Sequence, residues 1–530
     1  MADLHSAGHR RGVVCAPHAA AVEAGRAILA EGGNALEAMV AMAATIAAVY
    51  PHMNHLGGDG FWLIREPSGR VRAIMAPGPA GRNARPELYG DDETIPTRGP
   101  LAALTVPGAI GGWMLALQAA NANRGKLPLD VLMSNACGHA RDGYQVTRSQ
   151  KQLTENHLAE LKDVPGFAKT FLVDGKVPAV GTALKQQALA ATLEQLAHAG
   201  LDDFYRGDIG REIAADLDRI GSPITREDLN RYEAKIAEPL RAELSCGTVY
   251  NTGAPTQGIA SLMILAVFDR LGVTEGESFD HIHGLVEATK RAIRVRDRAV
   301  TDPNFLAHPL ARYLEPGFIA GEAMKIDRRK AARWPLAAGE GDTIWMGAAD
   351  ASGLVVSYIQ SLYWEFGSGC VLPATGVLMQ NRGASFSLQS GALNPLMPGR
   401  LPIHTLNPAL AVLRDGRIMA YGCMGGDGQP QTQSALFTRY VTFREPLADA
   451  IDRPRWVLGR TWGAARTALR LEPRFDGHLI DALANAGHEV EVLDEPYSDV
   501  MGHAGAVVLH KDGSLEGAHD PRADGGAAGV

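Results

Sequence analysis

Near position 340 the chain changes texture, and this limits the folds open to it more than any other feature. Before that point apolar residues recur mostly at helical spacing, over Ala19 to Glu31, Ala35 to Val49, Ala109 to Ala120, Thr182 to Ala199, Asp208 to Ile220, Gly258 to Leu271 and Phe279 to Thr301. Three short strands interrupt them: Val13-Val14-Cys15, and Phe61 to Ile64 with Val71 to Met75 around the turn Pro67-Ser68-Gly69. After it, Thr343 to Ala349 and Leu354 to Leu362 alternate as strands around Asp350-Ala351-Ser352-Gly353. Leu406 to Leu413 and Ile418 to Cys423 repeat the pattern around Arg414-Asp415-Gly416. Helices at Gln431 to Val441 and Asp476 to Ala486, and strands at Glu489 to Leu493 and Gly505 to His510, complete the chain. Strand hairpins flanked by helices predict a layered α/β sandwich of mainly antiparallel sheets. No Pro-, Gly- or Ser-rich linker, repeat or low-complexity segment divides the 530 residues, so one compact unit is expected. Only Ser387 to Gly399 and the two ends read as weakly structured.

Composition narrows the function classes. With 51 basic against 59 acidic side chains the net charge is −8, and there is no basic cluster of the kind a nucleic-acid groove needs. The five cysteines, Cys15, Cys137, Cys246, Cys370 and Cys423, are widely spaced in apolar or small-residue settings, which fits reduced thiols in a cytoplasm. Met1 to Pro17 lacks the apolar core of a signal peptide. The longest apolar run, Ala38 to Tyr50, is too short to span a bilayer, which takes about 20 residues. The expected setting is therefore cytoplasmic, with no membrane partner.

Several chemistries lack their signatures. There is no G-x-x-x-x-G-K-[ST] phosphate loop and no G-x-S-x-G nucleophile elbow. The stretch Gly422-Cys423-Met424-Gly425-Gly426-Asp427-Gly428 joins a strand to a helix but lacks dinucleotide-site spacing. His281 and His283 are two apart on an expected helix and point in different directions, so no metal site is expected there. The positive signal is Gly341-Asp342-Thr343 opening a strand straight after the helical half. Ser361 follows at the end of the next strand, and then Phe366-Gly367-Ser368-Gly369.

Taken with Gly32-Gly33-Asn34-Ala35-Leu36-Glu37-Ala38, Gly57-Gly58-Asp59-Gly60-Phe61, Val106-Pro107-Gly108, Asp302-Pro303, Gly425-Gly426 and Asp520-Pro521-Arg522-Ala523-Asp524-Gly525, this order of motifs resembles the γ-glutamyltransferase family along nearly the whole chain. The resemblance implies a four-layer αββα sandwich of the N-terminal-nucleophile hydrolases, made as one precursor. Cleavage between Asp342 and Thr343 would leave a large chain, residues 1–342, and a small chain, residues 343–530, in one compact unit. It implies Thr343 as nucleophile, Ser361 as the second hydroxyl beside it, and Gly425 and Gly426 as the oxyanion hole. No cofactor or metal is implied. The chemistry is coherent: a threonine hydroxyl needs a base, and an α-amine of pKa about 8 appears beside it only once the peptide bond is cut.

The family's substrate anchors do not carry over. Its carboxylate-binding arginine matches Ala73, with Arg72 adjacent, and the residues that hold an α-amine become Arg382 and Ser385. The paired serines become His404 and Thr405, and an asparagine becomes Tyr363. Arg400 is a further cleft residue by the same correspondence. A guanidinium repels an ammonium group and attracts a carboxylate. The pattern therefore resembles the branch holding oxamate amidohydrolases and glutaryl-cephalosporin acylases, which cut an amide of a small carboxylate-bearing substrate. Two alternatives stay open: a glutathione hydrolase or transferase with rearranged anchors, and an uncleaved, non-catalytic binding protein. A local acid such as Glu365 or Asp427 could also be what Arg382 pairs with. The sequence leaves the oligomeric state open and is compatible with a homo-oligomer.

Overall fold

A computed structural model describes residues 3–334, 342–459 and 467–530. Gly341, the first residue of the Gly341-Asp342-Thr343 signal, lies outside the described residues. The helix Ala35–Val49 shows how local sequence builds the frame. The Asn34 side chain accepts from Leu36 and Glu37 N–H, and Glu37 returns a bond to Asn34 N–H, closing a capping box. Asp350 Oδ2 accepts the next N–H, that of Ala35, at 2.8 Å, tying the helix start to the turn after the strand Asp342–Asp350. All fifteen of its residues are buried, as expected for a helix apolar on every side.

Two seven-stranded sheets, antiparallel at every pairing, form the centre. One runs Gly526–Gly529, Gly12–Ala16, Asp342–Asp350, Val355–Tyr363, Asp59–Arg65, Val71–Ala76, Lys235–Ala237. The other runs His5–His9, Leu515–His519, Ala504–Leu509, Ile418–Cys423, Ala409–Leu413, Gly247–Asn251, Leu240–Leu244. Between them lies a core that includes Val13, Phe61, Leu63, Trp345, Ile359, Leu410 and Val507. The first sheet's outer face packs on helices of the N-terminal half such as Ala35–Val49. The second packs on Gly258–Leu271, Phe279–Ala299 and Gln429–Phe437. The mixed α/β, antiparallel sandwich is the one expected.

Several local expectations needed correction. Both ends are strands: His5–His9 pairs with Leu515–His519, and Gly526–Gly529 pairs with Gly12–Ala16. Their small and polar residues carry no apolar alternation, and the partner strand imposes the pairing. The helix expected from Thr182 begins at Gln187, because Ala183–Leu184 pairs with Tyr144–Gln145.

Trp345 sets how the sheets face each other. Its indole lies buried between them, with Nε1 donating to Ser357 Oγ at 2.9 Å. A Cβ on Gly422 would meet its ring at 2.0 Å and one on Gly505 at 2.6 Å. Both glycines sit on strands of the opposite sheet, so only hydrogen at those positions admits the ring. Gly422→Ala is expected to cost about 2–3 kcal/mol through overpacking, read as a lower midpoint in urea unfolding at unchanged slope.

Candidate active site

The strands Asp342–Asp350 and Val355–Tyr363 pair regularly from Ala349↔Val355 back to Ile344↔Gln360, and then slip to Asp342↔Tyr363. Across that slip the single residue Thr343 faces two, Ser361 and Leu362, which is a β-bulge; such bulges re-aim side chains. Thr343 is fully buried, and its Oγ1 accepts from Gln429 Nε2 at 3.3 Å. Gln429 is held in turn, its Oε1 accepting from Asn407 Nδ2 at 3.0 Å, so its amide can offer only its NH2 to Thr343. Ser361 Oγ accepts the Tyr363 N–H at 2.8 Å.

Gln429 also opens the helix Gln429–Phe437, which follows the glycine pair. Gly425 has φ 123° and Gly426 φ 49°, values side-chain-bearing residues rarely adopt, so glycine is required for the chain to turn there. Gln257 Nε2 ties the turn down, donating to Gly426 O at 2.8 Å and to Thr405 O at 2.6 Å. Arg296 fixes Gln257 through Oε1 at 2.8 Å and pairs with Asp427. The Thr343 hydroxyl is thus tied, through the Gln429 side chain, to the first residue of that helix.

Arg382 opens a short 3-10 turn, Arg382–Ser385, and is 1% exposed. Its guanidinium lies 3.8 Å from the Tyr363 ring centroid and donates from Nη1 to Thr405 Oγ1 at 3.4 Å. Tyr363 reaches that position with φ 88°, a left-handed conformation that costs a non-glycine residue energy and is typical of functional sites. Among the described residues no carboxylate lies within salt-bridge distance of Arg382. Glu365 faces His157 and Asp427 faces Arg296, so neither serves as its local partner. Burial pulls the Arg382 pKa down to about 10, which still leaves it charged at neutral pH.

His404 is fully buried, edge-on to Phe61, with Nε2 3.4 Å from Asp59 Oδ2. Burial first, and then the charge of Arg382, push its pKa well below the ordinary histidine value, so it is neutral. Asp59 Oδ1 accepts from Gly78 N at 2.9 Å, Gly108 N at 3.2 Å and Gln380 Nε2 at 3.0 Å. Burial nevertheless raises the Asp59 pKa to about 7. Ser385 stands at the end of the same turn as Arg382 and donates to Ile403 O at 3.2 Å.

The fold thus joins Thr343, Ser361, Tyr363, Arg382, Thr405, His404 and the Gly425-Gly426 turn through one chain of contacts. It leaves out the two other arginines. Arg72 pairs with Glu66 at 2.8 Å, and Arg400 donates to Thr301 Oγ1 and Leu393 O at 3.0 Å while stacking on Phe305. Gln429, Asn407, Gln257 and Asp59 were not singled out as site residues by the sequence. Gln429 had one available signal, its place directly after the glycine stretch. Outside the site, His283, Glu287 and His488 bring ligand atoms within 4.8 Å of one another. All three are engaged: His283 Nδ1 with His488 Nε2 at 2.8 Å, His283 Nε2 with Asp327 O at 2.8 Å, and Glu287 with the Lys290 ammonium at 2.7 Å. Among the described residues no helix is long and apolar enough to cross a membrane.

A two-sheet antiparallel sandwich with helices on both faces matches the architecture of the N-terminal-nucleophile hydrolases. The comparisons agree. The gamma-glutamyltranspeptidase family model matches residues 21–530. The oxamate amidohydrolase proenzyme of Klebsiella pneumoniae is 51% identical over 99% of this chain and 100% of its own. A glutathione hydrolase-like proenzyme of Bacillus subtilis is 37% identical over 98% of each chain. The crystal structure of a cephalosporin acylase from Bacillus halodurans superposes with a TM-score of 0.90 at 28% identity, covering 99% of this chain and 97% of that one. The chain belongs to the gamma-glutamyltranspeptidase family, and it is an amidohydrolase of the N-terminal-nucleophile class.

Proposed function

We propose that the chain cuts itself between Asp342 and Thr343 and then hydrolyses the amide of a small carboxylate-bearing substrate, of the oxamate or glutaryl-amide kind. The observation that carries the substrate class is Arg382, a buried cation on an aromatic face with no carboxylate partner among the described residues. Leaving such a charge unpaired is costly, and a substrate carboxylate is the natural counter-ion. The 51% identity to an oxamate amidohydrolase proenzyme supports the reading.

The steps follow from the placement of Thr343. In the precursor its Oγ attacks the Asp342 carbonyl carbon, the Oγ proton passes to the Thr343 nitrogen as the peptide C–N bond breaks, and water hydrolyses the resulting ester to the Asp342 carboxylate and the free hydroxyl. This frees the Thr343 α-amine. In turnover that amine takes the Oγ proton as Oγ attacks the substrate carbonyl. The oxyanion lies at the Gly425-Gly426 turn, where one backbone donor is typically worth about 3 kcal/mol. The C–N bond then breaks, the amine's proton goes to the leaving nitrogen, and water resolves the acyl-enzyme. Gln429 and Ser361 position the hydroxyl. The large and small chains stay together as one enzyme.

A panel of amides tests this. Oxamate and glutaryl amides should turn over, their uncharged analogues should not, and Arg382→Glu should lower kcat/KM for the carboxylate amides by about 100-fold or more. Unchanged activity in that variant removes Arg382 as the anchor. Glutathione turned over faster than either class would instead make the protein a γ-glutamyl hydrolase with rearranged anchors.

A further inference from the structure

Beside the candidate nucleophile, buried polar atoms converge without hydrogen-bond partners among the described residues. They are Asp59 Oδ2, both ring nitrogens of His404, and Arg382 Nη2. All three residues are at most 1% exposed. Asp59 Oδ2 and His404 Nε2 are 3.4 Å apart, and the charge of Arg382 acts on both. An unmet buried polar atom costs about 1–3 kcal/mol, so a cluster of them marks a place made for a ligand. The other groups facing Asp59 cannot take its place. Tyr205, Tyr232 and Tyr358 are all held neutral by burial, and Gln380, Gly78 and Gly108 are spent on Oδ1. Asp427, which faces Arg382 from the other side, is paired with Arg296.

The pocket therefore holds one fixed cation and one ionisable acid. We propose that a substrate carboxylate docks on Arg382 together with one proton, which the Asp59–His404 pair takes up, so that this pair determines specificity for singly charged acyl groups. The inference rests on the reading of Arg382 as carboxylate anchor. Two carboxylates about 5 Å apart repel by about 3 kcal/mol at an effective dielectric near 20, and one guanidinium cannot neutralise both. Protonating Asp59 removes the conflict at little cost near pH 7, where burial has already brought it to titrate. The proton then lies between Asp59 Oδ2 and His404 Nε2 and satisfies both atoms. It belongs to the pair as a unit. A substrate bringing a second negative charge to this pocket would find no further cation.

The sign is definite. Below about pH 7 the proton is already present and affinity is flat. Above it the proton must be taken from solution, and affinity falls about tenfold per pH unit. The test is binding of propionate to the processed enzyme between pH 5.5 and 9, followed by saturation-transfer NMR, with Asp59→Asn and Arg382→Met alongside. The Kd ratio of wild type to Asp59→Asn isolates Asp59 from the Thr343 α-amine, which titrates in both. It should be constant at low pH and rise about tenfold per unit above neutrality. Calorimetry of the wild type in two buffers of different ionisation enthalpy should count one proton taken up per propionate near pH 8, and needs no variant. A pH-independent ratio, or no proton uptake, with binding still dependent on Arg382, overturns the proton coupling alone. Propionate binding that survives Arg382→Met overturns the anchor itself.

Discussion

With alanine in place of Thr343, the purified protein is expected to run as a single chain of 56.3 kDa on a denaturing gel and to show no amide turnover. The wild type should give two fragments, the smaller beginning at Thr343. One substitution should remove both events because, in the proposed mechanism, the same Oγ attacks the Asp342 carbonyl in the precursor and the substrate later. Loss of a nucleophile in a comparable unit costs about 10^6-fold in kcat. Thr343 is buried in the continuous chain, and without a cut its nitrogen stays a peptide amide that cannot serve as the base. The assignment fails if Thr343→Ala is cleaved at the same bond, or if the uncut wild type turns over amides.

Replacing Asp520 with asparagine should cost about 3–5 kcal/mol of stability, the usual penalty for removing one member of a buried ion network. Asp520 lies in the Asp520-Pro521-Arg522 motif, fully buried between Arg455 and Arg522. It also accepts the Ala504 N–H at 2.6 Å. Glu472 completes the group, pairing with Arg522 at 2.6 Å. Arg455 and Arg522, opposing the effect of burial, hold the Asp520 carboxyl far below the ordinary carboxylate range. A depressed native pKa contributes stability that is fully present above the unfolded value near 4 and is lost as pH falls from there towards the native value. The wild type should therefore lose stability steeply below pH 4, and Asp520→Asn should flatten that part of the profile. Chemical denaturation at pH 3 and pH 7 measures both. Equal slopes for the two proteins would show that Asp520 does not carry the acid sensitivity. Turnover should suffer as well, because Met424 N donates to His503 O at 3.0 Å, so the Asp520 network props the strand end that leads into Gly425.

The parts of this fold legible in the sequence are those whose signal is local. The helix Ala35–Val49 carries its own cap and is apolar throughout, and the hairpin of Asp342–Asp350 with Val355–Tyr363 carries its turn. The strand Leu240–Leu244 is hidden in the sequence because Arg241 and Glu243 give it a charged face, and the strand it pairs with, Gly247–Asn251, takes its place in the sheet beside Ala409–Leu413, far along the chain. The site divides in the same way. Thr343, Ser361 and the glycine pair stand in motifs. Gln429, Asn407 and Gln257 are ordinary amides until folding sets them end to end. Arg72 and Arg382 show the limit most sharply. Both are arginines near expected anchors, yet the side-chain alternation of its strand sends Arg72 to surface Glu66, whereas Arg382 turns inward onto Tyr363.

The order of strands in the two sheets has a consequence for the enzyme's lifetime. In one sheet, Asp342–Asp350 and Val355–Tyr363 lie between Gly12–Ala16 and Asp59–Arg65. In the other, strands from residues 409 to 519 are enclosed by His5–His9 on one side and Gly247–Asn251 on the other. Neither product of the cut could hold its sheets alone; each would present long open edges to other chains. Maturation would then erase the route by which the enzyme was assembled. A cut molecule that unfolds has lost the covalent link that brought its strands into register, so heating should inactivate it irreversibly, whereas the uncut Thr343→Ala protein should refold. Durability in such an enzyme is a matter of how slowly it opens rather than how favourably it re-forms.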